Sequence, residues 1–318
     1  YFSGGDSRTR MAEMVALAQR VDHVECAHAL EAGVRELTLL GAHKPVYNRR
    51  SRNAHRGWWI ALTDERFSRL KVSRTPSAEA IGPIRSRTDA AEIADVISGA
   101  AGLRTCTARL GRADHHWCAG TADAAALPDP LVAALPGVCR AASDRPQTVA
   151  DYLLRVRAAH ELITGCSDRL LTELAGRLDV LAEQRHFESA ARARDRLAAT
   201  VDALDRCQRL GALARVEELV LARPDDRAGW ELSVVRHGRL AAAGYAARGV
   251  APMPVVEALT AAATTILPPA PEAGPLAGAP AEEVNLIDRW MREPGVRLVT
   301  STAPLCWPVG AAARWAAF

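Results

Sequence analysis

The segment that most constrains the fold is "RLLTELAGRLDVLAEQRHFESAARARDRLAATVDAL", residues 169–204. It lies within a helical pattern over 168–209 that is interrupted once, at "QRHF". The first half lines up Leu170, Leu171, Leu174, Leu178 and Leu181. The second lines up Phe187, Ala190, Ala191, Arg194, Ala198 and Val201. An amphipathic helix must bury its apolar stripe against something. A short turn makes two such helices antiparallel neighbours, and small alanines let them approach closely. The chain must therefore contain a helical hairpin.

With 318 residues there is room for two or three modules around that hairpin. Residues 8–20 and 28–42 read as helices, the second with Leu30, Val34, Leu37 and Leu39 or Leu40 on one face and Gly41 and Pro45 at its end. "VDHVECA" (21–27) reads as a short strand, and "GWWIALTDERFSRLKVSR" (57–74) as a β-hairpin turning at Asp64-Glu65. Residues 75–146 are mixed, with a turn and one helix over 88–98; residues 147–164 are helical. From Arg215 onward, "VEELVLARP", "WELSVVRHGRLAAAGYAAR" and "VRLVTSTAPLCW" read as strands, and "PVVEALTAAATTIL" and "AEEVNLIDRWMRE" as helices. "PPAPEAGPLAGAPA" (268–281) reads as a linker. The expected fold class is α/β multi-domain, with divisions at 1–74, 75–146, 147–210 and 211–318.

Composition excludes some functions. No apolar run approaches the roughly 18 residues of a membrane span. The seven cysteines are scattered and never form CxxC, and no export signal precedes them, so they are expected to be reduced thiols of a cytoplasmic protein. The net charge of +3 says little, but its distribution says more. Lys44, Arg49, Arg50, Arg52, Arg56, Arg66, Arg69, Lys71 and Arg74 face only Asp64 and Glu65, a net +7 within residues 43–74. Such concentration suits a phosphate backbone. Of the adjacent Trp58 and Trp59, strand alternation sends one to the core and one outward.

On spacing alone, Glu36 is a surface carboxylate beside cations. It could also hold one divalent ion against a phosphate. The longer string "ALEAGVRELTLLGAHKPVYNRRSR" resembles the end of the GIY-YIG nuclease domain of the UvrC excinuclease family. There a helix of the form E-A-x-x-x-E-x-x-L-I precedes P-x-Y-N and a basic strand. Glu31, Ala32, Glu36, Leu39, Leu40, Pro45, Tyr47 and Asn48 fall in the corresponding places. The resemblance implies a partial GIY-YIG α/β domain, with Glu36 as the catalytic ligand of magnesium or manganese. It implies DNA contacts from Lys44, Asn48, Arg49, Arg50, Arg52 and Arg56. The wording "HKPVYNRRSRNAHRGWWIALTDE" looks like the C-terminal portion of actinobacterial proteins that join an exonuclease domain to a GIY-YIG domain. The GIY and YIG strands and the arginine that follows them do not occur in this sequence, which starts at Tyr1 with its first methionine at Met11. The expectation is an N-terminally truncated, catalytically incomplete chain.

Cys106 and Cys118 are separated by eleven intervening residues, and Cys139 follows a loop. They are either three ordinary thiols or ligands of zinc or an iron–sulfur cluster. UvrC proteins are similar here, with "LRTC", a second cysteine, then C-x-x-x-C before a helix like "TVADYLLRV". The resemblance puts Cys139 third and Ser143 fourth. An iron–sulfur cluster is not expected from this degenerate set. His115 or His116 could complete a zinc site.

"FESAARARDRL" (187–197) looks like the UVR motif, F-E-x-A-A-x-x-R-D-x-I/L. The resemblance implies docking on a UvrB-like helicase through Phe187, Glu188, Ala191, Arg194 and Asp195. "WELSVVRHGRLAAAGYAA" weakly resembles the strands entering UvrC's second nuclease domain, but its D-x-S-H signature does not occur. Asp225, Asp226, His237 and Asp288 are therefore expected at the surface. The leading expectation is a UvrC-like, DNA-binding, UvrB-docking repair protein without membrane association. The rivals are a fragment of a metal-dependent structure-specific endonuclease and a UvrB-binding adaptor without DNA contact.

Overall fold

The computed structural model describes residues 9–47, 57–108, 110, 115–116, 118, 131, 139–141, 146–270, 272–306 and 309–316. In chain order its elements are α1 (Thr9–Leu17), α2 (Ala29–His43), β1 (Trp58–Leu62), β2 (Leu70–Ser73), β3 (Ile81–Ile84), α3 (Arg87–Ala101), β4 (His115–His116), β5 (Gln147–Thr148), α4 (Val149–Thr164), α5 (Arg169–Glu183), α6 (Phe187–Arg215), β6 (Leu219–Pro224), β7 (Trp230–Arg236), β8 (Arg239–Ala246), α7 (Pro252–Ala262), α8 (Ala281–Met291) and β9 (Arg297–Ser301). A 3-10 turn at Ala311–Trp315 follows. The class is α/β multi-domain. One compact unit comprises Tyr1–His55, Leu213–Pro268 and Ala279–Pro304; the other comprises Arg56–Ala212, Pro269–Gly278 and Leu305–Phe318.

In the first unit, β8-β7-β6-β9 form an antiparallel sheet. Alternation along β7 sends Leu232 and Val234 into a core with Val220, Ala222, Ala241 and Val256 of α7. Ser233 points the other way, and its hydroxyl lies 3.2 Å from His28 Nε2 at the start of α2. Leu30 of α2 and Val284, Ile287 and Trp290 of α8 are buried. The two helices approach closely at Gly33, where a Cβ would sit 3.3 Å from Leu286. Glu31 accepts a 2.7 Å bond from the backbone N–H of Ala27, which holds the first turn of α2. Lys44 closes the helix in the left-handed conformation, its N–H donating to Leu40 O at 3.0 Å, one residue before Pro45.

Three expectations for this unit change. The segment 21–27 forms no strand, and Val21 and Val24 are exposed, since no strand edge pairs with them. On α2 only Leu30 of the anticipated apolar face is fully buried. His237 and Asp288 are buried rather than on the surface, whereas Asp226 is exposed. Asp288 accepts from Arg292 one turn later at 2.8 Å. His237 and Gly238, both with positive φ, make the tight turn between β7 and β8.

In the second unit, β2-β1-β3 form an antiparallel sheet, with Ile60 opposite Val72 and Leu62 opposite Leu70. The expected hairpin over 57–74 is present. Trp59 is the buried tryptophan of the pair. Trp58 is half-buried under the guanidinium of Arg74, 3.9 Å from its ring centroid. "IGPI", in the stretch read as a turn and one helix, is strand β3. Gly82 permits it: φ is 151°, and a Cβ there would lie 2.8 Å from both Trp58 O and the Trp59 ring. Helices α3 and α4 start on Ser86 and Thr148, whose hydroxyls accept from Asp89 N and Asp151 N.

Helices α5 and α6 flank the expected interruption. Leu170, Leu171, Leu174 and Leu178 are buried as expected. On α6 the buried line is Ala193, Leu197, Val201 and Leu204, so Phe187, Ala191 and Arg194 face outward rather than inward. The reason is tertiary: these residues join one core with α3 and α4, and Arg196 donates to Asp95 of α3 at 2.9 Å.

Candidate metal centre

The three cysteines singled out by the sequence converge in the second unit. Cys106 follows α3, Cys118 follows β4, and Cys139 lies before β5. Between them sits His116. Its Nε2 is 3.4 Å from Cys106 Sγ and 3.3 Å from Cys118 Sγ. The four ligand atoms of Cys106, His116, Cys118 and Cys139 all lie within 4.8 Å of one another. Pairing of β4 with β5, His116 opposite Gln147, explains the choice of histidine. Successive strand residues face opposite ways, so His116 is buried and His115 is exposed. Ser143, the fourth place implied by the resemblance, lies outside the described residues.

The support around this cluster is extensive. The His116 ring packs against Phe67 and Tyr152, centroids 5.8 and 6.2 Å away. Its Nδ1 is buried with no hydrogen-bond partner. Protonated at Nδ1, the ring would present the Nε2 lone pair to the sulfurs. Arg104, 1% exposed, donates to Phe67 O at 2.6 Å, Cys106 O at 3.0 Å and Ala108 O at 3.1 Å, and pairs with Glu65. Tyr152 donates to Ser68 O at 2.8 Å and accepts from Arg104 N at 2.7 Å. Arg140, next to Cys139, bonds its backbone N–H to Thr105 Oγ1 at 3.1 Å and its guanidinium to Asp95 at 2.6 and 3.0 Å. The Cys106 segment is thus tied to the β-hairpin and α4, and the Cys139 segment to Thr105 beside Cys106 and to α3. Asp95 carried no sequence signal of this role, and Arg104 and Tyr152 carried only their places in "LRTC" and "TVADYLLRV".

Electrostatically the cluster is unequal. Burial opposes ionisation of Cys139. The hydrogen bond with His116 and backbone bonds from Cys106, Ala141 and Thr105 outweigh it and bring the thiol to about 6. Burial and the neighbouring Cys106 push Cys118 up to about 12. Cys106 is lowered, its burial outweighed by His116 and Arg104. His116 is raised, chiefly by its bond with Cys139 and despite burial.

The other predicted residues do not gather. Glu36 is exposed on α2, and among the described residues it joins no group of three or more metal-ligating side chains. Lys44 is exposed at the α2 cap. Asn48, Arg49, Arg50, Arg52 and Arg56 lie outside the described residues. Phe187, Glu188, Ala191, Arg194 and Asp195 are all exposed on α6. None of the described helices is long and apolar enough to cross a membrane.

Sequence similarity gives these features a setting. No family model and no solved structure matches the chain. The chain is 30% identical over 210 residues to the UvrABC system protein C of Syntrophus aciditrophicus (strain SB), covering 65% of this chain and 32% of that protein. It is 27% identical over 249 residues to that of Symbiobacterium thermophilum, covering 76% of this chain and 37% of that one. Over these stretches the chain is similar to UvrC proteins. Along its whole length it is also 49% identical to a protein of Mycobacterium tuberculosis (strain CDC 1551 / Oshkosh) named as a candidate bifunctional exonuclease/endonuclease. It spans 48% of that relative's length.

Proposed function

We propose that the chain serves DNA repair as a UvrC-like component that binds DNA and docks a UvrB-like helicase through the α5–α6 hairpin. The observation that carries the docking is the outward stripe on α6. Phe187 is 67% exposed, and Ala191, Arg194 and Asp195 follow it at i+4, i+7 and i+8 while the opposite side is buried in the core. An exposed aromatic flanked by charges of both signs suits an anchor-and-rim interface. The test is capture of purified UvrB by the full chain: Phe187→Ala should abolish it. Failure of the unaltered chain to bind at micromolar concentration would remove the docking reading. DNA contact is assigned to Lys44, Asn48 and the arginines at 49, 50, 52 and 56. A salt-dependent gel shift that survives replacement of Arg49, Arg50 and Arg52 would remove that assignment and favour an adaptor.

A second reading is a metal-dependent endonuclease with magnesium or manganese on Glu36, favoured by the relative named for exonuclease and endonuclease action. A single carboxylate binds such an ion weakly and does not position a nucleophile. The first reading therefore expects this chain alone to leave DNA intact. Magnesium-dependent nicking of plasmid or flap DNA, abolished by Glu36→Gln, would decide for the second.

A further inference from the structure

We propose that Cys106, His116, Cys118 and Cys139 bind one zinc ion as a closed, four-ligand structural site, in place of an iron–sulfur cluster. The proposal stands apart from DNA binding and partner docking, which could fail without affecting it. Three thiols and one imidazole match the ligand types of structural zinc. A tetrahedral ion with Zn–S of about 2.3 Å and Zn–N of about 2.0 Å holds its ligand atoms roughly 3.5–3.8 Å apart. His116 Nε2 lies 3.4 and 3.3 Å from two of the sulfurs, and no pair among the four exceeds 4.8 Å. A four-iron cluster seats each ligand on a different iron, with a cube of iron and sulfide between them. That spreads the ligands wider than a single ion does, and this set is too tight for it. The histidine points the same way, because iron–sulfur clusters are held chiefly by thiolates.

The surroundings fit an ion whose role is to fasten. Arg104 Nη1 lies 3.7 Å from Cys106 Sγ, and the backbone N–H of Arg140, next to Cys139, donates to Thr105 Oγ1, next to Cys106, at 3.1 Å. Such outer contacts orient ligands and offset thiolate charge. All four coordination positions are filled by protein, which leaves none for a water or substrate. The ion would join the segment carrying Cys106, His116 and Cys118 to the one carrying Cys139. The first already bonds through Arg104 to Phe67 and Tyr152, and the second through Arg140 to Thr105 and Asp95, so the zinc would join two anchored segments.

The experiment is elemental analysis of the full chain purified both in air and anaerobically. The expected result is one zinc per chain, no acid-labile sulfide and no iron–sulfur absorption. Cobalt(II) in its place should give the d–d bands of a tetrahedral site and thiolate charge transfer. His116→Cys should retain the ion and move the cobalt bands to lower energy, as a fourth thiolate replaces nitrogen. His116→Ala should weaken zinc about tenfold or more against a chromophoric chelator, while His115→Ala should leave it unchanged. Iron with stoichiometric sulfide, a folded chain that takes up no zinc when it is supplied in excess, or zinc equally tight without His116 would each overturn the proposal. The measurements on the unaltered chain stand even where a variant fails to fold.

Discussion

The cysteine cluster of one unit and the Glu36 helix of the other differ in a way that sequence resemblance does not reveal. Glu36 lies in the stronger motif, eight matched residues in register, yet it stands exposed on α2 with its helix held by Leu30, Gly33 and Glu31 instead. Cys106, Cys118 and Cys139 lie in the weaker one, yet they converge with a histidine the motif did not specify. A motif preserves residue types along the chain. A site requires side chains from separate segments to meet, and that depends on what each segment packs against.

If the comparison is right, perturbing the cysteine region should cost far more than perturbing Glu36. The largest effect is expected at Arg104. Replacing it with Met removes a buried cation and strands Phe67 O, Ala108 O and Glu65. Urea unfolding should report a loss of about 3–5 kcal/mol. A loss below about 1 kcal/mol would mean that this region is not one cooperative core.

Asp95→Asn comes next, at about 1–3 kcal/mol near neutral pH, because Arg140 and Arg196 both bond its carboxylate. Its burial raises the pKa, but the two arginines outweigh this and hold it below the ordinary value. A lowered folded-state pKa gives stability that is present above the unfolded value and lost as pH falls through the folded one. The gap between wild type and variant should therefore narrow below about pH 4. A gap that stays constant down to pH 2 would exclude the ionic contribution. Tyr152→Phe leaves Ser68 O and Arg104 N without their partner and should cost about 1–2 kcal/mol. The smallest effect belongs to Glu36→Gln, within about 0.5 kcal/mol of wild type by the same titration. A large loss there would show that Glu36 is structural and end its reading as a metal ligand.

Helices are the most legible part of the fold. Their apolar periodicity, the caps at Ser86 and Thr148 and the break at "QRHF" are written within a few residues of one another. The segment 21–27 departs from its strand-like pattern because a strand needs a partner edge, which local pattern does not supply. "IGPI" departs from its turn-like pattern for the converse reason: a Gly-Pro pair signals a turn, but β1 is there to pair with it.

The sequence by itself determined the α/β class, the two-helix punctuation and the three thiols, because periodicity and ligand chemistry belong to residue types and short spacings. The tertiary structure alone decided that His116 rather than His115 joins the cysteines. It also decided that Trp59 rather than Trp58 is buried, and that α6 turns Phe187 outward. Each of these is a choice of face, and a face is fixed only when a distant segment, β5, β3 or α3, packs against one side of the element and leaves the other to water.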